Sequence, residues 1–245
     1  MSIKKKIKPY IPVEFQALGR RIINNNYVKR ETKIFKQVVK KYLETHKVCK
    51  LQLGSQKNPV NGWLNTDIVA DKKIDVYYLD ITKNFQILDE SFDYVYCEEL
   101  IEHIDYKEGQ AMLHECYRIL KPGGKIRIGT PDLRNFIKLY DSNKNKLHKD
   151  YVKWIVDTFF KDTKIYSSVF VINNIFRRWG HKFIYDFDTL ADSFKRAGFT
   201  NIVRRLEGKS SDEHLKNIDQ HGISSENKKF RNFESFFAEA QKPLK

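Results

Sequence analysis

Cysteine is scarce in this 245-residue chain, and long apolar runs are missing. The three cysteines, Cys49, Cys97 and Cys116, are scattered, and their spacing to histidine is not that of a zinc site. Their odd number also argues against a disulfide framework. No apolar stretch reaches bilayer-spanning length, and the start of the chain lacks the apolar core of a secretory signal. We therefore expect a protein of a reducing compartment, the cytoplasm.

The glycine patterns that bind dinucleotides or triphosphates are missing too. A strand is predicted at 48–53 and Gly54 follows it, but the positions two and five residues later hold Gln56 and Pro59. A second predicted strand, 63–68, carries the carboxylate of Asp67 near its end. A strand, a glycine turn and a second strand that ends in an acid are typical of a nucleoside-binding site. Such a site would lack the loop that encloses the phosphates of a dinucleotide or triphosphate. Taken alone, the stretch fits a β-turn before a solvent-facing aspartate equally well.

Acidic residues are rare in the first fifth of the chain. Residues 1–50 hold 14 lysines and arginines and 3 acids, which is 14 minus 3, or +11, of the net charge of +14. Helices are predicted at 13–24 and 31–45, and the second should pack on the domain edge with its lysines in solvent. A basic amphipathic helix on an anionic membrane or polyanion is the alternative. For residues 1–30 that alternative stays open, and with it a peripheral position at the inner membrane face.

After Asp67, strands and helices alternate, which predicts a parallel sheet with right-handed crossovers. Further strands are expected at 74–79, 92–97 and 125–129, and helices at 98–104 and 107–120. The run Lys121-Pro-Gly-Gly124 should end the last of these helices, with a glycine as its left-handed cap.

Ligands of such sheets lie outside the carboxyl ends of the strands. That rule places the following residues on one rim: Gly54, Asp67, Asp80, Cys97–Glu98 and Thr130. We expect Asp67 to accept hydrogen bonds from the ribose of an adenosine, and Asp80 to lie near the adenine amino group with Ile81 against the ring. A role in a turn or helix cap explains Asp80 alone equally well.

Residues 133–185 do not fit a simple strand–helix–strand unit. Helices rich in aromatic residues are expected at 133–140, 151–160 and 169–179. An insertion after the fifth strand lies on the ligand side of the sheet, so we expect it to cap the site; a peripheral helical patch is the alternative. A helix at 186–197 capped by Gly198, a strand at 199–206, a polar loop at 208–225 and a last strand at 233–240 complete the pattern. The predicted organisation is a basic helical arm, 1–47, and a catalytic domain, 48–245.

Several short motifs occur in a fixed order. They are Leu51-Gln-Leu-Gly-Ser55, Gly62-Trp-Leu-Asn-Thr-Asp67, Phe92-Asp-Tyr-Val-Tyr96, Glu102-His-Ile104 and Arg118-Ile-Leu-Lys-Pro-Gly-Gly124, followed by His181 and Ala197-Gly-Phe199. In these motifs the chain resembles the class I S-adenosylmethionine-dependent methyltransferases over about residues 48–242. It is most similar to a bacterial subgroup that often accompanies the synthesis of cell-surface polysaccharides.

The resemblance implies an α/β, Rossmann-like, seven-stranded sheet with the last strand antiparallel and helices on both faces. It implies S-adenosyl-L-methionine as the cofactor, with contacts at Gly54, Ser55, Asp67, Asp80, Ile81, Cys97 and Glu98. The family usually has glycine at the position of Gln56, whose side chain could crowd the methionine end of the cofactor. A non-catalytic binding or scaffold module is therefore one alternative function.

An oxygen nucleophile must lose its proton during methyl transfer, which calls for a histidine or carboxylate near the rim. His103 and His181 are the candidate catalytic residues, and Glu102 could orient His103. A structural role for His103, pinning neighbouring backbone, is the alternative. We predict an enzyme that O-methylates a sugar or a cell-surface glycan precursor.

Two further possibilities are weighed against this prediction. A nucleic-acid methyltransferase would use the basic arm on phosphates, but residues 51–245 carry only +3 and no Asn/Asp-Pro-Pro-Tyr motif for a flipped base occurs. Another small-molecule acceptor stays open. No residue pattern demands a metal, and only Asp132 near Thr130 leaves a divalent ion conceivable.

Overall fold

Seven strands form one sheet in the computed structural model, which describes residues 25–140, 145–163, 165–219 and 230–244. The strands are β1 (Lys50–Leu53), β2 (Leu64–Asp67), β3 (Val76–Tyr78), β4 (Phe92–Glu98), β5 (Leu120–Pro131), β6 (Thr200–Arg205) and β7 (Ser235–Gln241). Their order is β3-β2-β1-β4-β5-β7-β6. β7 is antiparallel to both neighbours, whereas β1 to β5 pair in parallel. The predicted Rossmann-like sheet, with its last strand antiparallel, is confirmed.

Helices surround this sheet. They are α1 (Asn25–Thr45), α2 (Tyr106–Ile119), α3 (Leu133–Lys138), α4 (Lys146–Phe159), α5 (Ser168–Arg177), α6 (Phe187–Ala197) and α7 (Arg231–Glu234), with short 3-10 helices at Lys72–Ile74 and Ile101–His103. Within the described ranges, no helix combines the length and the apolarity that a bilayer crossing requires. The helix expected at 13–24 lies outside the described residues.

The first described helix, α1, packs on the edge of the sheet. Phe35, Val39 and Tyr42 are buried on its inner side, and the Tyr42 hydroxyl donates to the carbonyl of Gly62 at 3.0 Å. The outer side carries exposed lysines at 33, 36, 40 and 41. The predicted edge helix with a solvated lysine face is confirmed. The predicted membrane or polyanion contact of residues 1–30 falls almost entirely outside the described residues and stays a prediction.

The central strands are buried on both faces, as expected for a parallel sheet covered by helices. Leu51 and Leu53 of β1 and Ile126 and Ile128 of β5 have no exposed surface. α2 covers one face, and its start is fixed by a capping box in which the Asp105 side chain and Glu108 bond reciprocally to each other's backbone N–H. This packing holds the strand ends that form the rim.

Two local predictions were wrong. α2 ends at Ile119 without a glycine cap, because Leu120 is already extended and begins β5. Gly123 adopts a positive φ of 79° within β5, where its N–H donates to the carbonyl of Lys242. The helix expected at 98–104 is reduced to the three-residue 3-10 helix, since the chain first turns at Glu99 with a φ of 49°. The glycine cap predicted at Gly198 is confirmed by its φ of 101°.

Residues 133–185 form their own apolar cluster. Phe136 of α3, Tyr151 of α4 and Ile175 of α5 are buried together with Phe230 and Phe233 from the carboxyl-terminal segment. The insertion is therefore a packed helical layer anchored beside β7. Its predicted capping role depends on the few residues that reach the rim, which are described below.

A buried ion cluster ties the loop after β6 to the sheet. Arg127 of β5 has no exposed surface and bonds both oxygens of Asp219, at 2.8 and 2.6 Å. It also donates to Glu239 of β7 at 2.6 Å and to the carbonyl of Lys209 at 3.0 Å. One guanidinium thus joins two strands and a loop that has neither helix nor strand between 208 and 219.

Candidate functional site

A cavity of about 450 Å³ opens at the carboxyl ends of β1, β2 and β3. Four residues predicted to bind a nucleoside line it: Gly54, Asp67, Asp80 and Ile81. Of the residues predicted to share one rim, Gly54, Asp67 and Asp80 lie together here, whereas Thr130 lines neither cavity. Val28 of α1 lines the same cavity, and α1 is held there because the Tyr27 hydroxyl accepts a hydrogen bond from the N–H of Ala70 at 3.0 Å.

A smaller cavity of about 70 Å³ lies next to it and shares Gly54. Ser55, Gln56 and Glu98 are among its lining residues. The Ser55 hydroxyl is buried and has no hydrogen-bond partner among the residues that the structure describes. A buried hydroxyl without a partner is costly unless a ligand or water bonds it. It therefore marks the small cavity as a polar subsite.

Leu100 lies against Gly54, the residue that the two cavities share. It lines the large cavity, and a Cβ on Gly54 would lie 2.7 Å from both of its terminal methyl carbons. Gly54 also has a φ of 66°, a conformation that favours glycine. The glycine therefore serves both the sharp turn after β1 and the close approach of Leu100, which the sequence alone did not reveal.

The Asp67 carboxylate is held in place by backbone groups. It accepts hydrogen bonds from the N–H of Gln56 at 3.1 Å and of Val69 at 3.0 Å. Burial raises the pKa of Asp67 above its ordinary value, while these backbone bonds oppose the rise. Gln56 takes a left-handed φ of 46° and its side chain is exposed. The residue that departs from the expected glycine thus keeps the turn and lies at the rim of the small cavity.

Asp80 lines the large cavity, whereas Cys97 is buried away from both cavities. One oxygen of Asp80 accepts from the Thr82 N–H at 2.9 Å and from its hydroxyl at 2.7 Å, so Asp80 organises a turn as well as lining the large cavity. The Cys97 side chain is fully buried and belongs to the lining of neither cavity. The Glu98 carboxylate accepts a hydrogen bond from the Tyr96 hydroxyl at 2.6 Å.

The two candidate catalytic histidines lie together, although they are far apart in sequence. Their ring centroids are 5.0 Å apart, in an edge-to-face arrangement, and His103 lines the large cavity. Nδ1 of His181 is 2.7 Å from the carbonyl oxygen of Ile175. Burial, followed by the nearby His103, lowers the pKa of His181 to about 4. His181 is therefore a neutral imidazole at physiological pH.

Glu102 connects this pair to the sheet and to the insertion. Its carboxylate has no exposed surface and accepts a hydrogen bond from the Thr130 hydroxyl at 2.9 Å. The other carboxylate oxygen lies 3.8 Å from Nε2 of His103. The Glu102 carbonyl accepts from the N–H of Lys182 at 2.7 Å, which fixes the chain next to His181. Asp132, the one position at which the sequence left a metal conceivable, is instead paired with Arg204 at 2.6 Å.

Comparison with known proteins gives one sequence match. Residues 47–128 match a family model described as a methyltransferase domain, and no curated protein matches the chain. An S-adenosylmethionine-dependent methyltransferase from Archaeoglobus fulgidus has a similar structure, with a TM-score of 0.46, 16% identity and coverage of 89% of this chain and 100% of its own.

Two other solved structures are similar at the same level of identity. A possible histamine N-methyltransferase from Thermotoga maritima has a TM-score of 0.45 and 16% identity, and covers 93% of this chain and 99% of its own. Phosphoethanolamine N-methyltransferase 2 from Haemonchus contortus, in complex with S-adenosyl-L-methionine, has a TM-score of 0.42 and 16% identity. That alignment covers 85% of this chain and 52% of the Haemonchus protein.

The matched segment contains the predicted cofactor residues from Gly54 to Glu98. It also forms most of both cavities, and the partnerless hydroxyl of Ser55 gives the small cavity a hydrogen-bonding group for a polar ligand end. Residues 47–128 therefore match a methyltransferase domain and belong to a Rossmann-like sheet. The carboxylates and the partnerless hydroxyl that line the two cavities fit S-adenosylmethionine as the cofactor.

Proposed function

We propose that this protein is an S-adenosylmethionine-dependent O-methyltransferase that acts on a hydroxyl group of a sugar or glycan precursor. The observation that carries the proposal is the histidine pair, His103 and His181, beside the large cavity. A hydroxyl nucleophile must lose its proton as the new bond forms, and a positioned imidazole is the commonest group for that task. The methyltransferase domain sets the reaction type, and the histidine pair favours oxygen as the acceptor atom.

The two cavities divide the work of holding the cofactor. Asp67 would accept hydrogen bonds from the ribose hydroxyls in the large cavity, with Ile81 against the adenine. Ser55 and Glu98 would hold the polar methionine end in the small cavity. When bound, S-adenosylmethionine supplies a methyl group on a positively charged sulfur. Leu100, which lines the large cavity beside Gly54, would keep water from that methyl group.

The chain's own residues then handle the acceptor. Because Nδ1 of His181 donates to the Ile175 carbonyl, its Nε2 keeps the lone pair that can accept a proton. Lys182 and Glu108 also line the large cavity, with an ion-pair distance of 3.4 Å between them. A donor and an acceptor side by side suit the hydroxyl groups of a sugar. Correct placement of the acceptor oxygen near the methyl group is the main contribution that such a site makes to the rate.

A transfer assay tests the acceptor class. The full-length protein is incubated with methyl-labelled S-adenosylmethionine and, in separate reactions, with nucleotide sugars, lipid-linked oligosaccharides, RNA, DNA and protein. We expect label in the sugar-containing acceptors as an ether-linked methyl group, and none with Asp67→Ala.

Two results would contradict the proposal. Label in RNA or DNA alone would show that the protein is a nucleic-acid methyltransferase, with its basic amino-terminal segment as the candidate contact to phosphates. No label in any acceptor, with cofactor binding intact and a broad glycan panel tested, would favour a binding module over an enzyme.

A further inference from the structure

We propose that Glu102, His103 and His181 form a binding site for a divalent transition-metal ion in the wall of the large cavity. The sequence indicated no metal, because two of these residues are adjacent and the third is distant along the chain. The role that we give the ion rests on the proposed O-methyl transfer, whereas the binding site itself does not.

The geometry of the three donors carries the proposal. One donor atom from each residue lies within 4.8 Å of the others, and Nε2 of His103 is 3.8 Å from a carboxylate oxygen of Glu102. Metal–ligand bonds of about 2.0–2.1 Å in a tetrahedral site put ligand atoms roughly 3.4 Å apart. Small side-chain rotations would therefore close the three donors around one ion.

Two of the three side chains are already oriented by outer contacts of the kind found around metal sites. Nδ1 of His181 is bonded to the Ile175 carbonyl, which leaves Nε2 as the ligand atom. One oxygen of Glu102 is bonded by the Thr130 hydroxyl, and the other faces His103. The backbone bond from Lys182 to the Glu102 carbonyl holds the two chain segments together. The outer contacts thus hold Glu102 and His181 in place, and His103 is the ligand that lines the cavity.

The ligand set indicates which ions fit. Two imidazoles and one carboxylate suit Zn²⁺, Fe²⁺ or Co²⁺ better than Mg²⁺ or Ca²⁺, which prefer oxygen ligands. Three protein ligands leave at least one open coordination position. Because His103 lines the cavity, that position would face the acceptor. An acceptor hydroxyl bound there would lose its proton more readily. Because the ion would then occupy Nε2 of His181, the proton would pass to solvent water or to the Glu108 carboxylate in the same cavity.

Metal binding is measured directly and without cofactor or acceptor. Purified full-length protein is stripped with chelator, dialysed against Zn²⁺ and analysed for metal content. Substitution by Co²⁺ is followed by visible absorption, which reports nitrogen and oxygen ligation. We expect about one ion per chain. Removing His181 by His181→Ala, or weakening the carboxylate by Glu102→Gln, should lower affinity by at least the roughly 10–100-fold that loss of an outer contact costs.

The matched control is His114→Ala, since His114 is exposed on α2, away from the cavity. It should bind like the wild type. Absence of a stoichiometric ion from the wild type, or equal affinity in the wild type and both site variants, would overturn the metal site. Because Glu102→Gln preserves side-chain volume, its metal affinity can still be compared with that of the wild type if His181→Ala does not fold.

The outcome is independent of the transfer assay. Labelled product with no metal bound would leave the histidines as direct proton acceptors and refute the metal site. A stoichiometric ion lost in the site variants, with label only in RNA, would support the metal site and refute the sugar acceptor.

Discussion

Replacing Arg127 by methionine should lower the free energy of unfolding by about 3–5 kcal/mol, the usual cost of removing one partner from a buried ion cluster. Arg127 neutralises Asp219 and Glu239 where none of the three side chains has more than slight exposure. Methionine restores much of the volume but leaves the Asp219 carboxylate without its cation, and it leaves Glu239 with Arg205 as its remaining partner. The loop of residues 206–219 also loses the bonds from Arg127 to its carbonyls, although Lys125 of β5 still pairs with Asp212.

Urea unfolding followed by circular dichroism measures this loss. The control is Arg196→Ala, which removes an exposed arginine paired with Asp192 on the surface of α6. That variant should unfold at nearly the wild-type urea concentration, because exposed pairs contribute little. A midpoint for Arg127→Met equal to that of the control would show that the buried cluster is not a major source of stability.

Alanine at His103 or at His181 should reduce the turnover number by roughly 10²–10⁴-fold, the range that positioned proton transfer contributes. The His103 ring lines the large cavity, the His181 ring packs against the His103 ring, and neither lines the small cavity. The affinity for S-adenosylhomocysteine should therefore stay near that of the wild type. A loss in turnover with unchanged cofactor affinity separates a role at the acceptor from a role in cofactor binding.

Steady-state transfer to the acceptor found in the labelling assay gives the turnover number, and calorimetric titration gives the affinity. His114→Ala serves again as the exposed control, with expected turnover like the wild type. Full turnover in both single variants would remove the histidine pair from the mechanism. Weakened S-adenosylhomocysteine binding in either would instead place that ring against the cofactor.

The sheet and half of the site could be predicted because they depend on local signals. Strand ends followed by Gly54, Asp67 and Asp80 lie on one rim in any parallel sheet, so the pattern of the chain determines their neighbourhood. The glycine cap of α6 at Gly198 is equally local. The wrong prediction at Gly123 shows the limit, because α2 ends close to the predicted residue but the start of β5, and not a glycine cap, ends it.

The remaining features depend on contacts between distant segments. Nothing near His103 in the sequence indicates that His181 approaches it, and the approach follows from two backbone bonds to the Glu102 carbonyl. The close contact of Leu100 with Gly54 likewise depends on the turn at Glu99. Arg127 resembles any solvent-facing strand residue until Asp219 and Glu239 are brought to it. Such contacts are set by the tertiary structure and not by local periodicity.

Calorimetric titration with S-adenosylmethionine and S-adenosylhomocysteine tests the central claim most directly. We expect saturable binding of both, and a loss on the order of 100-fold or more in Asp67→Ala, because two hydrogen bonds to a charged carboxylate disappear. Asp192→Ala, a remote exposed carboxylate, should bind like the wild type. Folded wild-type protein that shows neither heat nor thermal shift with either ligand would contradict the account, and would mean that the two cavities do not form a cofactor site.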